Sequence, residues 1–244
     1  MDSPNKKLIS LIICAYNEEK YIGDCLRQAI EKSNGGLHEI IVVDNASTDQ
    51  TRKIAEGFPG IKVVYEPRKG LTRARQKGLL EARGEILAYI DADTRMPEGW
   101  LEKVISEFGK NEKLVSLSGP YAYYDIPKWK KIILEIFCWR ILSYPVYLIV
   151  GYMILGGNFV IRKDVLEKMG GFNTSIEFYG EDTNIARRAH RFGKVKFKPS
   201  FFIYSSARRF SNQGLLKTLI VYTGNFFSEA FARRPLTKVY KDIR

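Results

Sequence analysis

The chain is poor in the residues that soft-metal and disulfide chemistry require. Its 244 residues include two histidines and three cysteines, and neither type is spaced as a zinc site would be. Three cysteines cannot all pair. Cys14 and Cys138 lie in apolar runs, where a buried free thiol is the usual outcome, so a reducing, cytosolic compartment is expected. His38 at a turn and His190 on a helix stand apart from each other and read as structural, and no Ser-His-Asp arrangement is present. Acid is also scarce: 27 Asp and Glu against 39 Lys and Arg leave a formal charge of +12. Such a balance favours polyanions, phosphorylated small molecules or an anionic membrane surface. Nucleic acid is not expected as a partner, because the basic residues are scattered and no helix-turn-helix, RNA-recognition or zinc-finger pattern occurs. The first apolar run ends in Ala15-Tyr16-Asn17-Glu18 where a dinucleotide-dependent dehydrogenase would carry Gly-x-Gly-x-x-Gly. A sugar-phosphate nucleotidyltransferase would need a Gly-rich loop and a basic residue at the same place. That run, Leu8 to Ala15, also flows into acidic residues rather than a small-residue cleavage site, so no signal peptide is expected. Repeats and low-complexity tracts are absent.

What is present alternates. Apolar runs at Leu8–Ala15, Ile40–Val43 and Ile86–Ile90 read as strands, as does Ile61–Tyr65, with helices between them through Tyr21–Ile30, through Thr51, Ile54 and Ala55, and from Gly70 to Ala82. Tyr21, Ile22, Cys25, Leu26, Ala29 and Ile30 give the first helix one apolar face, and Ser47 to Asp49 are N-cap candidates for the second. Strand-helix alternation implies an α/β fold: a Rossmann-like, mostly parallel central sheet flanked by helices. One domain over 1–244 is expected, with a nucleotide-binding half at 8–100 and an acceptor or catalytic half at 101–214. A basic-flanked helix and tail follow at 215–244, packing Leu215, Leu216, Leu219 and Phe231 among Lys217 and Lys238. An amphipathic helix with Trp100, Leu101, Val104, Ile105 and Phe108 on one side opens the second half. Segment 132–161 is the most apolar, but Ser143, Pro145, Gly151, Gly156 and Gly157 interrupt it, so a pair of helices covering the sheet or lying on a membrane is expected rather than a span.

Acids punctuate the pattern. Asp44 closes the second strand, Asp91 and Asp93 close the fourth, and Glu181-Asp182 open a helix. Two carboxylates one residue apart at the carboxyl end of a parallel strand repel unless a cation stands beside them, and a hard divalent ion bridging to a diphosphate fits. Equally, Asp93 could cap the helix near Pro97 while Asp91 merely ends a strand. For Glu181-Asp182 the plain alternative is a helix N-terminus that favours acids.

The ordered set Cys14-Ala15-Tyr16-Asn17-Glu18, Val42-Val43-Asp44-Asn45-Ala46-Ser47-Thr48-Asp49, Arg73-Ala74-Arg75-Gln76-Lys77-Gly78, Asp91-Ala92-Asp93, Gly156-Gly157-Asn158 and Gly180-Glu181-Asp182 resembles family 2 glycosyltransferases of the GT-A fold over roughly residues 8 to 193. The resemblance implies an inverting transferase of hexosyl or N-acetylhexosaminyl groups from a nucleoside-diphosphate sugar, a UDP-sugar by preference. By it Asp44 would take the imide N–H of a uracil-like base, with Ala15, Tyr16 and Glu18 beside the nucleotide. Asp91 and Ala92 would lie by the ribose, Asp91 and Asp93 would hold Mn²⁺ or Mg²⁺, and Asp182 would be the general base with Glu181 orienting the acceptor. Arg73 and Arg75 are two apart on a helix, so at most one, Arg75, would reach the phosphates. Gly157, Asn158, Arg208 and Arg209 are candidate diphosphate or acceptor contacts. The chain departs from the family at Gln76, where Asn is frequent, and in Ser205-Ser206-Ala207-Arg208-Arg209-Phe210, which carries neither Gln-x-x-Arg-Trp nor a metal-binding histidine. The missing motif argues against a processive polysaccharide synthase. A lipid-linked acceptor or cell-surface glycan precursor, met peripherally at the inner face of the membrane, is the expected partner. The competing expectation is a catalytically inactive nucleotide- or membrane-binding protein of the same fold.

Overall fold

A strand buried on both faces is largely apolar, and in β1 (Ile9–Ala15) every residue but Cys14 is buried, its one polar side chain, Ser10, being satisfied by Glu39 and the Gly84 N–H. The computed structural model describes residues 7–234, 236 and 237. The side chains of Cys138, Leu215, Leu216, Lys217, Leu219 and Phe231, and all of Lys238, lie outside that description. After β1 come α1 (Ile22–Ser33), β2 (Glu39–Asp44), α2 (Thr51–Glu56), β3 (Ile61–Tyr65), α3 (Leu71–Glu81) and β4 (Ile86–Asp91). The second half runs β5 (Thr94–Arg95), α4 (Trp100–Lys110), β6 (Leu114–Ser118), β7 (Tyr121–Tyr123) and α5 (Lys128–Leu134). A π-helical stretch (Glu135–Ser143) leads into α6 (Tyr144–Val150), then β8 (Asn158–Arg162), α7 (Lys163–Lys168), α8 (Glu181–Ala189), β9 (Lys194–Phe197) and β10 (Ile203–Ser205). Finally α9 (Arg208–Gln213) and α10 (Leu215–Phe227) end in a π turn at Ser228–Ala232.

Seven strands form the main sheet in the order β3-β2-β1-β4-β8-β6-β9, and β5-β10-β7 form a smaller one. All main-sheet pairings are parallel except those of β8, which runs antiparallel to both β4 and β6. The register brings Ala15 opposite Asp44 and Cys14 opposite Asp91, so the acids that close β2 and β4 share one sheet edge. Because β8 is reversed, its beginning meets that same edge, with Asn158 opposite Ile90. One core layer packs α1 and α4 on the sheet through Leu26, Trp100, Val104 and Phe108; the other packs α3, α7 and α8 through Leu79, Leu166 and Ile185.

Four expectations are adjusted. Ile30 and Ile105, placed on apolar faces by periodicity, are 42% and 45% exposed because the sheet covers only part of each stripe. The second helix starts at Thr51 with Gln50 at its N-cap, just past the expected Ser47 to Asp49, and Asp49 Oδ1 accepts the Thr51 N–H at 2.9 Å. Segment 132–161 holds one continuous helical run through 128–150, relaxed by its π stretch, then a loop and β8, rather than two helices. Among the described residues no helix is long and apolar enough to cross a membrane. Asn158 proves to be a structural tie. Wholly buried, it donates from Nδ2 to the carbonyls of Phe201 (2.8 Å) and Gly119 (3.2 Å) and accepts from Trp100 Nε1 (3.0 Å), which leaves no amide group for a diphosphate.

Asn158→Ala orphans three buried polar groups, and each costs about 1–3 kcal/mol when left without a partner. Urea unfolding is therefore expected to show a lowered midpoint at unchanged slope, and an unchanged midpoint would contradict the assignment.

Candidate functional site

The loops at the carboxyl edge of β1 and β2 are tied together around Asp44 and Asn17. Asp44 is 1% exposed at the end of β2, and its Oδ1 accepts the Ser47 N–H at 3.2 Å. Asn45 ties the β3–α3 loop beneath it, donating to Arg68 O at 2.9 Å and accepting from Gly70 N at 2.8 Å. Asn17 takes a left-handed backbone (φ 52°) and accepts the Thr48 N–H at 2.8 Å, so the β1 and β2 loops are stitched together. Ala15 is buried in this seam, and Tyr16 offers its ring to Lys69 Nζ, 3.9 Å from the centroid. A carboxylate fixed beside an aromatic face suits a planar base that donates an N–H.

Along the same sheet edge, Asp91, Ala92 and Asp93 line a cavity of about 290 Å³, and Ala92 also packs against the core. Glu18, Glu181 and Asp182 line the same cavity, as do Arg75, Arg208 and Arg209. Arg75 is 2% exposed and forms an ion pair with Glu181, donates to Gly156 O at 2.8 Å, and lies 3.9 Å from Asp91. It therefore braces the acids from the buried side of the cavity. Glu181 is 6% exposed and committed to Arg75, so it positions rather than reaches an acceptor. Burial pushes its carboxyl up to about 7, with Arg75 opposing that rise. Burial likewise raises Asp182, whose Oδ1 accepts the Thr183 N–H at 2.8 Å.

The loop that enters β8 must pass very close to these acids. A Cβ at Gly156 would come within 2.6 Å of Glu181 Oε1 and 2.7 Å of Arg75 Nη2, and one at Gly157 would collide with the Asp91 carboxylate. The Gly157 N–H instead donates to Tyr121 Oη at 2.8 Å.

Arg208, at the start of α9, reaches across the mouth. Its guanidinium donates to both oxygens of Glu18 at 2.8 and 2.5 Å and lies 3.0 Å from Asp93 Oδ2. Glu18 is thus engaged by Arg208, not open to a nucleotide. Arg209 lies over the Phe178 ring, 4.5 Å from its centroid. Asp125 holds this segment by accepting the Ala207 N–H at 2.7 Å and the Ser206 hydroxyl. Neither Asp125 nor Tyr121 was legible in the sequence, since each acts on a partner far along the chain and no local pattern marks it.

A divalent ion fits this donor set. Five carboxylates against three guanidiniums leave a formal deficit of two positive charges in the cavity. Among the described residues no group of three or more His, Cys, Asp or Glu could hold an ion unaided. Asp91 and Asp93 supply two hard oxygens, and hard dications often sit on one or two carboxylates with substrate phosphates and water completing the shell.

This sheet order, with an Asp-x-Asp end to β4 and an acid at the start of α8, defines the GT-A class of nucleotide-sugar folds. The pattern described as Glycosyl transferase family 2 matches residues 10–170, and the chain belongs to that family. It is 33% identical over 124 residues to the putative glycosyltransferase EpsH of Bacillus subtilis, a stretch covering 49% of this chain and 36% of that protein. Among solved structures it is similar to the mannosyltransferase PcManGT from Pyrobaculum calidifontis, in complex with GDP-Man and Mn²⁺ (TM-score 0.68, 20% identity, 94% of this chain and 64% of that one). It is also similar to glucosyl-3-phosphoglycerate synthase from Mycobacterium tuberculosis, in complex with Mn²⁺, UDP-glucose and phosphoglyceric acid (TM-score 0.62, 18% identity, 93% and 79%). The matched stretches span less than half of the length of the curated relatives.

Removing one member of a buried ion pair costs about 3–5 kcal/mol, because the other charge is left alone in the interior. Arg75→Met is expected to lose that much in urea unfolding, and the double variant with Glu181→Met to recover most of it. Additive losses in the double variant would show that the pair is not coupled.

Proposed function

We propose that this chain is a metal-dependent, inverting glycosyltransferase that moves a hexosyl or N-acetylhexosaminyl group from a nucleoside-diphosphate sugar to an acceptor hydroxyl. The observation that carries the reading is the convergence of Asp91, Asp93 and Asp182 on one cavity at the sheet edge that also carries Asp44. Asp44 accepts an N–H from the base and Tyr16 flanks it, a pairing that suits uracil and makes a UDP-sugar the preferred donor. Asp91 and Asp93 would hold Mn²⁺ or Mg²⁺, which when bound offsets the charge that gathers on the departing diphosphate. Arg75 keeps Asp91 and Glu181 in place from below. Arg208 and Arg209 carry guanidinium groups suited to diphosphate oxygens at the mouth. Asp182 accepts the proton of the acceptor hydroxyl as its oxygen attacks the anomeric carbon on the face opposite the leaving group. The new carbon–oxygen bond forms as the bond to the diphosphate breaks, so the anomeric centre inverts. Its raised proton affinity brings Asp182 closer to neutrality, as a general base requires. The acceptor belongs to a lipid-linked or cell-surface glycan precursor, met at the cytoplasmic face of a membrane.

Isothermal titration with UDP, GDP and dTDP, with and without Mn²⁺, tests the donor site. One nucleotide is expected to bind in a metal-dependent way and to be lost in Asp93→Ala; folded protein that binds none would return the chain to an inactive, membrane- or nucleotide-fold binding role. Asp182→Asn is expected to keep that binding while sugar release from the donor falls about 10²–10⁴-fold. Turnover at the wild-type rate would remove Asp182 from the mechanism.

A further inference from the structure

The helical run through 128–150 is apolar on more than the side it packs. Its inner face supplies Trp139, Ser143 and Val146 to the cavity wall. On the outside, Trp129 (62% exposed), Ile132 and Ile136 recur at helical spacing, and Ile141, Leu148 (64%) and Ile149 (84%) follow. α10 repeats the arrangement: Tyr222, Asn225 and Phe226 line the cavity, while Ile220 is exposed on the other side, with Leu236 exposed just beyond. A helix with apolar residues on both its inner and outer faces requires a nonaqueous neighbour on each. The cleft accounts for only one of them.

Charge identifies the other. Lys128 and Lys130 are exposed at the head of the first run, and Arg233 and Arg234 at the end of the second. No acidic residue occurs in the sequence between Glu135 and Asp164, nor between Asp182 and Glu229. A second copy of such a surface would bring like charges together. An anionic lipid surface is apolar where these side chains are apolar and negative where they are basic. We propose that the outer faces of the 128–150 run and of α10 form a single-leaflet docking surface for an anionic bilayer, with the cleft held against the lipid interface. This goes beyond the site itself: it names where the membrane is met, and it can hold or fail independently of sugar transfer.

The test is co-sedimentation of the full chain with vesicles of neutral phosphatidylcholine and with vesicles containing phosphatidylglycerol, at low and high salt. Leu148→Asp/Ile149→Asp and, separately, Lys128→Glu/Lys130→Glu are compared with wild type, and UDP titration reports the fold and the donor site of each. The wild type is expected to sediment with anionic vesicles and to be released by salt, and each variant to partition at least ~10-fold less while binding UDP as before. Wild-type protein that stays in the supernatant, variants that sediment as well as wild type, or binding equal on neutral vesicles would each overturn the proposal. So would variants that abolish self-association in light scattering and leave vesicle binding intact, which would assign the face to a second copy. Loss of UDP binding in wild type with vesicle binding retained would count against the transferase reading alone.

Discussion

Five carboxylates share one small cavity, and their mutual repulsion is the constraint around which the structure is arranged. In a poorly solvated site like charges destabilise one another strongly unless each has a counter-charge. Arg75 answers from beneath, wedged between Glu181, Asp91 and the Gly156 carbonyl. Arg208 answers from the rim, forked between Glu18 and Asp93. The first guanidinium is sealed in and permanent. The second belongs to a short helix at the mouth, whose start is held by Asp125.

The fold is shaped to deliver these groups together. Parallel strands β1, β2 and β4 all end at the same edge, which places Asp44 and Asp91 there by topology alone. Reversing β8 brings the Gly156-Gly157 turn to that edge as well, and the absence of side chains lets the turn run against Asp91 and Arg75. Asn158 then fastens the start of β8 to α4 and to the strand-connecting backbone at Gly119 and Phe201. The catalytic edge is rigid because its tightest turn is bonded on both sides.

Much of this could be read from the sequence, and the limits have physical causes. Central parallel strands are mostly apolar, so β1, β2 and β4 were visible, as were the β-branched run of the edge strand β3 and the acid closing β2 and β4. The helix opened by Glu181-Asp182 was visible for the same reason of local composition. Orientation was not: nothing in Asn158–Arg162 distinguishes a parallel from an antiparallel strand, since that choice is made by the long excursion before it. Side-chain direction was also hidden. Asn158 and Glu181 sit within motifs that suggest ligand contact, yet tertiary partners bury both. Arg208 could be suspected of meeting phosphate, but its fork between Glu18 and Asp93 depends on contacts across most of the chain.

The central claim is that Asp91 and Asp93 form the metal-diphosphate end of the donor site and that Arg208 guards it. A crystal structure of the chain with UDP and Mn²⁺ tests this most directly. The account predicts the ion on Asp93 and Asp91, the diphosphate bridging it, the base against Asp44, and Arg208 moved from Asp93 onto phosphate oxygens. An ion bound elsewhere, or UDP bound with the Arg208–Asp93 pair intact and no metal between them, would contradict it.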